Sequence, residues 1–108
     1  AMSYRVRLTE TAKQDLREIA FYIADQAKDK EVARNFVNEL RASCNRLTDF
    51  PQAGALPKDH VLRSMDYRHI AHKGYLIFYI VDEPEKTVNI LAIFNARKDD
   101  LRVISRFI

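Results

Sequence analysis

Two runs of β-forming residues constrain this chain most. Residues 75–81 read Tyr-Leu-Ile-Phe-Tyr-Ile-Val, and Val88, Ile90, Leu91, Ile93 and Phe94 follow within a few positions. Such aromatic and β-branched residues favour strands. The stretch between them centres on Glu83-Pro84-Glu85-Lys86, so the pair reads as a β-hairpin with a loop longer than a two-residue turn. Both runs are nearly continuous in apolar side chains, which makes them central strands covered on at least one face. The second run stops abruptly at Asn95-Ala96-Arg97-Lys98. Two cations at a strand end on a rigid sheet are well placed to act on a partner.

The rest of the chain supplies what covers that hairpin. Tyr4, Val6 and Leu8 alternate with arginines and read as a short strand. Ala12, Leu16, Ile19, Ala20, Ile23 and Ala27 fall on one stripe of a helix over 10–27, flanked by Phe21 and Tyr22. Its start fits either Thr9 as cap or a capping box from Thr11 to Gln14. After the polar break at 28–30, Asp29 caps a second helix over 30–48. Ala33, Phe36, Val37, Leu40, Cys44 and Leu47 form its stripe, and Phe50-Pro51 ends it. The short connection makes the helices an antiparallel hairpin. Residues 51–60 form the longest loop. Residues 61–71 read as a further strand anchored by Leu62, Tyr67 and Ile70, and 72–74 turn into the central strand. Leu101, Val103, Ile104, Phe107 and Ile108 make an apolar tail. The order is β-α-α-β-β-β. This is α+β, an antiparallel sheet packed against an N-terminal helical hairpin, with the other sheet face or its edge free for a partner.

Length and composition bound the rest. The 108 residues make one domain, 1–108, and Ala1 ahead of Met2 reads as an expression scar. With 47% apolar residues and only 2 Gly and 3 Pro, the composition is that of a folded globule. Cys44 is the sole cysteine, which excludes an internal disulfide and a Cys-rich zinc site. No signal peptide or 18-residue apolar run is present, so the expectation is a cytoplasmic protein with no membrane association. A net charge of +3 is compatible with a polyanionic partner.

The candidate site residues are mostly cations. Arg97 and Lys98 could contact a target, although Asp99 and Asp100 beside them offset their charge. Arg63, Arg68 and Lys73, with Lys58, make a basic strand and turn. Arg63 and Arg68 are five apart and face opposite ways on a regular strand. His60, His69 and His72 cluster in sequence. His69 and His72 point to opposite strand faces without a carboxylate cluster, so no metal site is expected. Tyr75 and Tyr79 share a face and read as core, and Cys44 as a buried thiol.

These residues carry a resemblance. From Tyr4 to about Ile104 the chain resembles the RelE/ParE superfamily of type II toxin–antitoxin toxins. The likeness rests on Arg63, Tyr67-Arg68, the segment 74–82, the segment 88–93, and the closing Asn95-Ala96-Arg97-Lys98-Asp99. The resemblance implies a small toxin without cofactor, neutralised by a cognate antitoxin. RelE-like members cleave mRNA on the ribosome, whereas ParE-like members inhibit DNA gyrase. A RelE-like nuclease would need its arginine at Leu76 and a terminal tyrosine near Val103, and both positions are apolar here. Arg97 is retained, and His69 falls where such a nuclease can carry a catalytic lysine. The resemblance therefore points to the ParE-like branch, with gyrase as target and Arg63, Arg68, Lys73, Arg97 and Lys98 as contacts. Its enzyme alternative is a ribosome-dependent endonuclease using His69 and Arg97, and a third reading is a non-toxic antitoxin-binding member.

Overall fold

The computed structural model of the chain describes residues 3–98. The elements run β1 (Arg5–Leu8), α1 (Glu10–Ala27), α2 (Lys30–Asn45), α3 (His60–Ser64), β2 (Arg68–His72), β3 (Tyr75–Asp82) and β4 (Thr87–Asn95). Short 3₁₀ turns follow α2 (Arg46–Thr48) and β4 (Ala96–Lys98). The apolar tail and Asp99-Asp100 lie outside the described residues. No helix among the described residues is long and apolar enough to cross a membrane.

The helix boundaries follow from caps. Thr9, rather than Thr11, opens α1: its Oγ1 accepts the Ala12 amide at 3.2 Å. Asp29 opens α2 through the Glu31 amide at 2.9 Å. Between them Lys28 adopts φ 55° and closes α1 with a left-handed residue. The two helices lie on the same face of the sheet. Leu16, Ile19, Leu40, Cys44 and Leu47 meet Ile77, Tyr79, Val88, Ile90 and Ile93 there, all buried. Burial raises the Cys44 thiol pKa to about 11, so this cysteine is an inert core residue.

The sheet order is β1-β4-β3-β2, so the two apolar runs are the central strands. β2, β3 and β4 are antiparallel neighbours. β1 joins β4 in parallel, a pairing that the long helical crossover between them permits. A bulge sits in β4: Phe78 opposes Ala92 while Tyr79 opposes Ile90, leaving Leu91 as the extra residue. The bulge flips the alternation. Val88 and Ile90 before it, and Ile93 after it, therefore all reach the same core.

Beyond the end of β1, no strand among the described residues flanks the outer side of β4, and Thr9 and α1 supply the partners instead. The Thr9 amide and Oγ1 both donate to Ile90 O, at 3.1 and 2.9 Å. Asp15 Oδ2 accepts the Ile93 amide at 2.9 Å. These contacts lock the helical hairpin to the sheet and satisfy a strand edge that would otherwise stay open.

Two expectations are corrected. The strand expected over 61–71 is replaced in its first half by α3. Asp59 Oδ1 accepts the Val61 and Leu62 amides at 2.9 and 3.0 Å, which is an N-cap. Asp66 at φ 63° then breaks the path before β2 begins at Arg68. The far face of the sheet is also less open than expected. Leu62 and Tyr67 are buried against Phe78 and Ala92 there, with Ile80, Leu91 and Phe94 around them.

Candidate functional site: a basic corner of the sheet

Lys73 and Gly74 turn β2 into β3 with φ of 46° and 86°. Two successive left-handed residues make a type I′ turn, whose twist matches a hairpin. Gly74 is needed for its backbone, since an added Cβ would touch nothing. The Gly74 carbonyl accepts the Ala96 amide at 2.8 Å. This bond ties the turn to the end of β4. Asn95 Oδ1 accepts the Arg97 amide at 2.8 Å and starts the Ala96–Lys98 turn. Lys73 and the exposed Arg97 thus share one corner, and Lys98 lies on the same turn.

Glu39 on α2 buttresses this corner. Its Oε1 receives Lys73 Nζ at 2.9 Å and lies 2.8 Å from His72 Nε2. His72 Nδ1 stands 3.5 Å from Ser43 Oγ, which accepts from Arg46 Nη2 at 2.9 Å. Phe36 packs on both His72 and Tyr75. The Lys73 hydrogen bond first, then that of His72, holds the Glu39 carboxyl below its ordinary 4.5. A depressed carboxylate stabilises the fold above its unfolded pKa and loses that stabilisation as pH falls through the folded pKa. Glu39→Gln should therefore lower the urea midpoint at pH 7, and the gap to wild type should close below about pH 4.5. Midpoints measured from pH 3 to pH 7 test this, and a gap that persists undiminished at pH 3 contradicts it.

The remaining predicted residues lie elsewhere. Arg63 is on α3, and its Nε donates to Pro57 O at 3.2 Å. Arg68 at the other end of β2 donates Nη1 to Gly54 O at 3.1 Å and places Nη2 3.7 Å from Asp66. Both guanidiniums thus hold the 51–59 loop. The five cations fall into two groups, separated by the length of β2, about 16 Å. His69 opposes Phe78 in mid-strand and exchanges backbone hydrogen bonds with Ala55, at 2.9 and 3.0 Å. Counted along β3 it lies three residues, about 10 Å, from the level of Asn95, and Arg97 follows on the next turn, so the two residues of the nuclease alternative are not brought together. Leu76 lies between Ala71 and Phe94 in an apolar stretch. Glu39 is the corner residue that sequence reasoning missed. It flanks the apolar stripe of α2, and nothing in its spacing points to a turn far along the chain.

The family model described as the ParE toxin of the type II toxin–antitoxin system parDE matches residues 6–100. Among solved structures, the chain is similar to the chromosomal ParDE toxin–antitoxin system from P. aeruginosa, with TM-score 0.72 and 18% identity over 88% of this chain and 98% of that one. It is also similar to the RelBE2 toxin–antitoxin complex from Mycobacterium tuberculosis, with TM-score 0.65 and 20% identity over 86% and 98% of the two chains. A free mutant of the E. coli toxin RelE gives TM-score 0.65 and 15% identity over 99% and 100%. No curated protein sequence matches. At these identities the structural likenesses speak for the fold, an α+β sheet with an N-terminal helical hairpin. The family match covers most of the sequence, and by it the chain belongs to the ParE toxins of type II toxin–antitoxin systems.

Proposed function

We propose that this toxin arrests growth by inhibiting DNA gyrase and that a cognate antitoxin holds it inactive. The observation that carries the reading is the ParE family match over residues 6–100. The corner geometry supports it. Lys73 and Arg97 offer cations on a rigid support, as a macromolecular contact requires. No cation occupies the Leu76 position, and His69 opposes Phe78 in mid-strand, away from the end of β4 that carries Arg97, which weighs against phosphoryl chemistry by that pair. The antitoxin has a fitting surface in the outer edge of β1. The Arg5 and Thr9 amides donate to Lys86 O and Ile90 O on the β4 side, so the backbone groups of Val6 and Leu8 point outward, open to strand addition. A supercoiling assay tests the target. The chain should inhibit purified gyrase and leave ribosome-bound mRNA intact. Intact supercoiling together with cleaved mRNA would overturn the reading in favour of the nuclease.

A further inference from the structure

Helix α1 carries a second stripe that the fold leaves uncovered. Gln14, Arg17, Glu18, Phe21, Tyr22 and Asp25 line a shallow groove on the face opposite the buried Ala12, Leu16 and Ile19, as helical periodicity dictates. Phe21 is 80% exposed and Tyr22 57%. Two adjacent aromatics this exposed on one helix face are a signature of an interaction surface.

The charges around them are arranged in an instructive way. Asp25 stands in the last turn of α1, where a carboxylate faces the negative end of the helix dipole. Its partner within the chain is Lys28, at 3.6 Å across an exposed gap. One turn before Phe21, Arg17 donates to the neutral Gln14 Oε1 at 3.1 and 2.9 Å. Arg17 lies four residues before Phe21 and Asp25 four after it, a base and an acid at equal spacing that form a self-complementary pair. Glu18, three before Phe21, has the uncharged Ala24 as its counterpart three after.

We propose that this stripe is a self-association surface whose occupant is a second copy of the chain. In an antiparallel pairing of two α1 helices about a two-fold axis at Phe21, each residue before Phe21 meets the residue equally far after it in the other copy. Phe21 meets the partner's Phe21, and Arg17 meets the partner's Asp25. Gln14 meets the partner's Lys28. Because a two-fold contact repeats every pair, both Arg17–Asp25 bridges form together. The aromatic centre would be dry and the charged rim wet, as in other protein interfaces. A single pair of helices buries less than a standard interface, so the dimer is weak, with a Kd on the order of tens of micromolar. The inference goes beyond the target reading and does not depend on it.

Sedimentation velocity on the full chain, made by cell-free synthesis, tests the register. Between about 5 and about 200 μM the wild type should shift from the 12.6 kDa monomer towards twice that mass, as a dimer of this strength requires. Phe21→Glu should stay monomeric throughout. Arg17→Asp and Asp25→Arg should each stay monomeric alone, because each sets like charges across the axis. Mixed in equal amounts they should associate, since one copy then presents two acids and the other two bases. The double swap Arg17→Asp with Asp25→Arg should restore the homodimer. All three positions are exposed, so unchanged circular dichroism checks folding. A wild type that stays monomeric at the top concentration, as it would if a helix of another protein were the true occupant, overturns the proposal. Single-charge variants that dimerise like the wild type, or a mixture that does not associate, also overturn it.

Discussion

Gly54→Ala is expected to melt about 15 °C below the wild type, a loss of about 3 kcal/mol for a domain of this size. Gly54 lies where the 51–59 loop crosses the edge of the sheet. A Cβ built there stands 2.5 Å from Tyr79 Oη, 2.8 Å from Tyr79 Cε1 and 2.9 Å from His69 O. None of the three can retreat easily. Tyr79 is fully buried, and its hydroxyl donates to Pro51 O at 2.8 Å while accepting the Gly54 amide at 2.9 Å. His69 O already accepts the Ala55 amide. Relieving the clash therefore means breaking either the tyrosine contacts or the Ala55–His69 bridge, and overpacking of this kind is costly. Tyr79→Phe is expected to cost about 2 kcal/mol by leaving two loop backbone groups without their partner. In the double variant the hydroxyl is gone, so the combined loss should be smaller than the two single losses together. Thermal unfolding followed by circular dichroism measures all three. A Gly54→Ala loss under about 1 kcal/mol, or strict additivity, contradicts this account of the loop.

Arg97→Ala is expected to remove growth inhibition while leaving the fold intact. The side chain is exposed, and the turn that carries it is held by Asn95 Oδ1 and by the Arg97 amide, which the substitution keeps. Its stability should therefore move by less than about 0.5 kcal/mol. An arginine at the centre of a contact is often a hot spot, and its loss should weaken target affinity by roughly 30-fold, equivalent to about 2 kcal/mol. Lys73→Asn is the companion variant, because asparagine tolerates the left-handed φ of 46° at that position. Its effect should be smaller, since Glu39 already engages Lys73. Growth curves after induction compare the variants. Undiminished inhibition by Arg97→Ala would remove the corner from the target interface.

How much of this was legible depends on how local each signal is. The caps at Thr9 and Asp29 and the two apolar stripes act within a few residues, so both helices could be read closely. The central position of β3 and β4 followed from their unbroken apolar character. The bulge at Leu91 left a trace too: Val88 and Ile90 share one parity, and Ile93 the other. Helix α3 was missed because five residues are too few to show a period, and Val61 and Leu62 suit a strand equally well. Asp59, as a cap before them, was the available clue. The parallel docking of β1 on β4 is set by the helical crossover and by the Thr9 and Asp15 contacts, all of them long-range. The site was harder to read. Arg68 is engaged by a carbonyl in the preceding loop, Arg63 turned onto a helix, and Lys73 found Glu39 on α2. Each of these partners is fixed by the tertiary fold. Arg97 could be placed at a sheet end only because the strand before it stops so abruptly.

Growth arrest through gyrase is the function proposed for this chain. The most direct test is to induce it alone in a bacterium and pulse-label DNA and protein synthesis in the same culture. Action on gyrase predicts that DNA synthesis falls first, with the DNA-damage response induced. Protein synthesis falling first would contradict it and bring His69 and the nuclease reading forward.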